Sequence, residues 1–205
     1  MSHDGSGIRR FHGTIRVVFL LGLGIVLALS GTPSAAPSAA ITRFLPTVRE
    51  AAPGLPNFTV YRPADLTAVG GPVPVLLWAN GACKTSNQQY WDVLSGIAAR
   101  GFVVVAVGAA EDTNVMGGTV IPTRLLPALD WVTTRAKSAR GYEQVDPTRI
   151  GVFGTSCGGL EALLTAADPR VKSVAGLNTG FFNAGTSGSR SMGNLSPAEI
   201  SKPHT

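Results

Sequence analysis

The chain has 205 residues, with 17 Lys and Arg against 12 Asp and Glu, a formal charge of +5 and 44% hydrophobic residues. Its basic residues are scattered along the chain, which argues against a nucleic-acid-binding face and reads as a solubilising surface. No His, Cys or carboxylate cluster has metal-ligand spacing, so neither a metal nor an organic cofactor is implied.

At the N-terminus, Arg9, Arg10 and Arg16 precede an apolar run of thirteen residues, Val17 to Leu29, followed by small residues from Gly31 to Ala40. This order of basic, apolar and small-residue regions predicts a signal peptide over residues 1–40, cleaved after Ala40. A membrane span needs about 20 apolar residues, so no stable membrane anchor is expected. Phe11-His12-Gly13 after the arginine pair is a poor match to a twin-arginine signal, and general secretion is the expected route. The sequence near the cleavage zone has no cysteine to carry a lipid. The expected location is therefore secreted or periplasmic. The remaining residues, 41–205, carry 14 basic and 11 acidic side chains and suffice for one domain with a core.

Within that domain, apolar strands alternate with amphipathic helices. Phe58–Pro63 reads as an early strand, and Pro74–Ala79 as a buried one ending at Asn80-Gly81. Gln88 to Arg100 predicts a helix with Tyr90, Trp91, Leu94 and Ile97 on one stripe. Phe102–Val107 is a second buried strand. A loop over 108–122 then leads to a helix over 124–137, with Leu125, Leu129 and Val132 facing inward. A third strand is expected from Arg149, a helix over 157–167, and a last strand at Val171–Leu177. Trp91 and Trp131 are expected in the core. The pattern predicts an α/β fold with a mostly parallel sheet covered by helices on both faces.

The most specific motif is Gly154-Thr-Ser156-Cys-Gly158, a G-x-S-x-G between the third strand and the next helix. A serine hydroxyl is a weak nucleophile unless it is held proud of the backbone near a base, and a strand–turn–helix elbow does this. Gly154 and Gly158 flank the turn, where a side chain would collide with the neighbouring strand or helix.

Over roughly 58–180 the chain resembles the α/β-hydrolase superfamily, in the branch of dienelactone hydrolases, cutinase-like polyester hydrolases and related secreted serine esterases. The resemblance is carried by Trp78-Ala-Asn-Gly81-Ala82-Cys83, Ala98-Ala-Arg-Gly101-Phe-Val-Val, Val145-Asp-Pro-Thr-Arg-Ile-Gly-Val-Phe-Gly154 and Asp168-Pro-Arg-Val-Lys172. It implies Ser156 as catalytic nucleophile, with the backbone N–H groups of Ala82 and Cys157 as oxyanion donors. Fixed N–H dipoles aimed at the developing oxyanion lower an acyl-transfer barrier by about 3 kcal/mol each. The helix beginning at Cys157 points its positive end the same way. The family fold also brings Cys83 and Cys157 together. With export to an oxidising compartment, that implies a disulfide, against the alternative of two buried free thiols.

The superfamily's chain order is Ser, then Asp or Glu, then His. The only histidine after Ser156 is His204, which reads as run-up to a further strand and not as the base. Asp168 reads as a turn residue, Glu161 as a helix-surface charge and Glu199 as a charge at a helix N-terminus. The domain is therefore expected to be a fragment that is incomplete at its C-terminus, lacking the last strands and the acid and His of the triad. Val171–Leu177 would then be an exposed apolar edge.

The expected function is hydrolysis of a small-molecule or polymeric carboxylic ester. A non-catalytic α/β-hydrolase-like binding protein is the alternative, and a peptidase or acyltransferase on the same fold remains open. The loop Gly108–Pro122, the stretch Asn183–Asn194, Phe181 and Phe182 are candidate pocket borders. Oligomeric state is not legible.

Overall fold

The computed structural model describes residues 44–114 and 116–180. The expected signal peptide lies outside these residues, as do Phe181, Phe182, Asn183–Asn194, Glu199 and His204. None of the helices among the described residues is long and apolar enough to cross a membrane.

Six strands form one sheet in the order β1-β2-β4-β3-β5-β6. They are β1 (Thr47–Ala51), β2 (Phe58–Pro63), β3 (Val73–Ala79), β4 (Val103–Val107), β5 (Val145–Thr155) and β6 (Val171–Leu177). The four strands β4, β3, β5 and β6 run parallel, while β1 and β2 pair antiparallel at one edge. The expected parallel sheet is thus present, with an antiparallel margin that the apolar pattern did not announce. β1 escaped sequence reading because Arg49 and Glu50 interrupt its apolar character. Such charges are what an edge strand tolerates.

Alternation along the strands divides the core in two. Val75, Leu77, Val103, Val105, Ile150 and Val152 join one apolar cluster, and the helix α2 (Leu126–Thr134) covers it with Leu129, Trp131 and Val132. Trp78, Val104, Ala106 and Phe153 face the other way, beneath Leu94 and Ala98 of α1 (Trp91–Ala98). This two-sided burial explains why the parallel strands read as unbroken apolar runs. α2 is shorter than the segment 124–137 read from sequence and carries Pro127 in its first turn, where a missing N–H costs nothing. Residues 88–90 form a 3-10 turn leading into α1. β5 starts at Val145, four residues before the expected Arg149.

Trp131 is buried and donates Nε1–H to Pro53 O at 2.8 Å. Trp91 is only half-buried, packed against the margin of the core and not within it, and Arg49 stacks over its ring at 3.4 Å. β6 is the outer strand of the described sheet, with Val174 and Leu177 exposed.

Two tyrosines hold protons inside the fold. Tyr61 donates to Asn87 Oδ1 at 2.6 Å and Tyr142 to Glu50 Oε1 at 2.7 Å. Burial pushes both phenols well above their ordinary range, and for Tyr142 the hydrogen bond to Glu50 adds to it. The unfolded chain releases these protons near pH ~10 while the folded chain retains them. Their contribution to stability is therefore fully present below that pH and lost above it, by up to about 1.4 kcal/mol per pH unit per tyrosine. Urea unfolding between pH 8 and 11 should show this decline, and Tyr142→Phe should reduce its slope.

Candidate active site

β3 and β5 are adjacent and parallel, but the connections that leave them diverge. β3 leads through α1 to β4, and β5 leads through α3 (Cys157–Thr165) to β6 on the opposite side. A crevice opens outside the carboxyl ends of two such strands. The register sets Ala79 beside Gly154, so Asn80-Gly81-Ala82 and Thr155-Ser156-Cys157 emerge side by side.

Ser156 stands at the N-cap of α3 with φ 52° and ψ −120°, a conformation few side-chain-bearing residues adopt. Its N–H donates to Leu177 O at 2.8 Å, which ties the turn to the end of β6. Ser156 is half-buried. The turn is possible because α3 presses directly on the strand backbones. A Cβ on Gly158 would lie 2.5 Å from Asn80 O, and one on Gly154 2.9 Å from Ala79 O. This is the collision anticipated from the motif.

Opposite, Ala82 and Cys83 both have positive φ, 53° and 50°. Two consecutive left-handed residues, neither of them glycine, are strained and need outside support. A disulfide joins Cys83 to Cys157, with Cα atoms 5.2 Å apart, as the family resemblance implied. It ties the turn after β3 directly to the first residue of α3. The Cys157 N–H, in the first turn of a helix, has no intrahelical acceptor. Ala82 is exposed, while Gly81 and Cys83 on either side are buried.

A buried polar network supplies the remaining support, and sequence reasoning missed it. Trp78 Nε1–H donates to Asn80 Oδ1 at 2.8 Å, and Asn80 Nδ2 donates to Lys84 O at 2.9 Å and Val107 O at 3.0 Å. Asn87 accepts from Tyr61 and donates to Val107 O at 2.9 Å. Tyr90 OH accepts the Gly81 N–H at 3.0 Å. Thus the segment 80–90 is bolted to the ends of β3 and β4 by side chains that are themselves satisfied. The available signal was Asn80 at the end of an apolar run; Asn87 lies among the polar residues 84–89 and gave none.

The expected helix-surface charge Glu161 is wholly buried instead. The segment after β4 reaches α3 at this residue, so the charge is covered. Its Oε1 accepts from Arg124 Nε at 2.7 Å and from the Ile121 N–H at 2.9 Å. Burial pushes the carboxyl above its ordinary range, and the Ile121 N–H and Arg124 pull against it. Asp168 fills the turn before β6 as expected and binds Arg170 through Nη2 at 2.8 Å.

The loop 108–122 lies against this site. Gly118 N–H donates to Ala82 O at 2.8 Å, and Ser86 Oγ hydrogen-bonds Asp112 O. A cavity of about 320 Å³ opens at the end of β4, lined among others by Asn57, Phe58, Thr85, Gly108, Asp112 and Arg124.

Such an elbow, beside a turn that offers backbone amides, is the working end of an α/β-hydrolase fold. The sequence profile described as "PETase: PET hydrolase-like" matches residues 35–184. The chain belongs to the PET hydrolase-like family. It is 30% identical over 122 residues to "Hydrolase LUC6" of a Fusarium species, covering 56% of this chain and 28% of that protein. With "Hydrolase ffsE" of Aspergillus flavipes it shares 28% identity over 169 residues, 74% of this chain and 35% of that protein. "Alpha/beta hydrolase xenA" of Xenoacremonium sinensis is 26% identical over 134 residues, 62% and 31% of the two chains. The chain thus spans about a third of the length of the curated relatives it matches.

Intact mass should rise by two hydrogens, ~2 Da, when the protein is reduced, and the unfolding free energy should fall by up to about 4 kcal/mol for a loop of 74 residues. Mass spectrometry and urea unfolding with and without reductant check this.

Proposed function

We propose that this protein is a secreted serine hydrolase of carboxylic esters, small or polymeric, with Ser156 as its nucleophile. The observation that carries the reading is the pairing of a strained Ser156 at the start of α3 with the Ala82–Cys83 turn, joined by the disulfide. In this reading Ser156 Oγ attacks the ester carbonyl carbon while its proton passes to a base. The N–H groups of Ala82 and Cys157 take the charge that develops on the carbonyl oxygen, helped by the α3 dipole. The carbon–alkoxy bond then breaks, and the alcohol leaves with the proton, forming an acyl-Ser156. Water attacks the acyl-enzyme, releasing the acid and restoring the serine hydroxyl.

The described residues include no histidine, so the base comes from outside them, and the carboxylate that orients it is assigned there too. No metal or organic cofactor is assigned to the reaction. The family description, PET hydrolase-like, supports a polymeric ester as one substrate class. The names of the curated relatives support hydrolysis without fixing the scissile bond.

A fluorophosphonate probe tests the serine. Mass spectrometry is expected to find the adduct on the peptide containing Ser156, and Ser156→Ala should abolish it. Persistent absence of label on a full-length form that carries the acid and histidine of the triad would favour the non-catalytic binding protein. Export is tested separately: N-terminal sequencing of secreted protein should begin at Ile41, and an N-terminus retaining Val17–Leu29 would instead indicate an anchor.

A further inference from the structure

Glu161 lies on α3 five residues beyond Ser156, and its side chain has no exposed surface. Burying a carboxylate costs several kcal/mol of solvation, and one ion pair often fails to repay it. A leucine at this position would pack without that cost. Oε2 has no hydrogen-bond partner among the described residues, so the carboxylate is imperfectly compensated. What it supplies is direction.

The contacts of Oε1 run to one segment. It accepts from the Ile121 N–H and from Arg124 Nε, while Arg124 Nη2 donates to Thr119 O at 3.1 Å. One carboxylate therefore gathers residues 119–124 onto α3. The neighbouring residues of this arm reach the turn after β3, where Gly118 N–H donates to Ala82 O. The approach is close: a Cβ on Gly118 would lie 2.7 Å from Cys83 O, and one on Gly117 3.1 Å from Ala82 O. The arm therefore abuts the two strained residues. The Ala82–Cys83 turn is thus tied to α3 twice, through the disulfide and through the chain Glu161, Ile121 and Arg124, Gly118, Ala82.

We propose that Glu161 is a positioning residue, whose buried carboxylate holds the 117–124 arm against the Ala82–Cys83 turn and so steadies the backbone that carries the Ala82 amide. The mechanical link stands on the contacts alone. Its bearing on catalysis rests on the ester-hydrolase reading above.

Amide hydrogen exchange and probe labelling on the full chain separate these. Glu161→Leu is expected to speed exchange in peptides spanning 80–84 and 116–122 by about tenfold or more, with β3, β4 and β5 unchanged. Labelling of Ser156 should slow by about tenfold, a loss of oxyanion support. Glu161→Gln, which keeps an acceptor oxygen for Ile121 and Arg124, should recover most of both. If Glu161→Leu does not fold, Ile121→Pro removes one link from an exposed residue and should give the same exchange pattern in 80–84. A uniform rise in exchange across the domain, or an unmoved 80–84 peptide, overturns the proposal. A full-length form carrying the acid and histidine that never labels, while the expected exchange pattern appears, overturns the ester reading and leaves the positioning role intact.

Discussion

The close approach of α3 to the end of β3 is the constraint on which this structure turns. Gly158 lies against the backbone of Ala79 and Asn80, and Gly154 against Gly158 and Ala79. Because no side chains intervene, the helix starts at Cys157, one residue after the strand ends, and Ser156 must turn sharply between the two. The same approach brings Cys157 within disulfide reach of Cys83. Strain at Ser156, the pairing of the two turns and the direction of the α3 dipole all follow from one backbone-to-backbone contact. Methyl groups at those two positions would push the layers apart and remove all three.

Such geometry persists only where the surroundings over-determine it, because each left-handed or otherwise strained residue costs of order 1–3 kcal/mol. Here the support is distributed. Asn80 and Asn87 anchor the segment after β3 to Val107 O, Tyr90 holds the Gly81 N–H, and the disulfide closes the turn onto α3. Every one of these polar groups is paired, so the network adds rigidity without leaving unsatisfied atoms in the core. Glu161 is the exception. Its half-satisfied carboxylate stands where the arm over the site meets the elbow helix.

Much of this was legible in the residues. Unbroken apolar runs at 74–79 and 102–107 announced buried parallel strands, because side chains on both faces of such strands enter a core. The elbow was legible because its chemistry demands glycines at fixed offsets from the serine. β1 was not, since the charges of an edge strand resemble those of a loop. Trp91 was misread because an apolar stripe does not reveal where a helix meets the sheet edge. There, the indole packs against the margin of the core and Arg49 covers its ring.

Local pattern by itself determined the α/β class, the strand–turn–helix at Ser156 and the need for Gly154 and Gly158, since each depends on residues within one turn or one strand. Tertiary structure alone decided that β2 pairs antiparallel with both β1 and β4, that Asn80 and Asn87 are buried anchors, and that Glu161 faces inward. Those outcomes depend on contacts between residues tens of positions apart, and a solvated charge and a buried one are written with the same letter. The pairing of Cys83 with Cys157 stands between the two. Family resemblance implied it, and the contact of α3 with the end of β3 accounts for it.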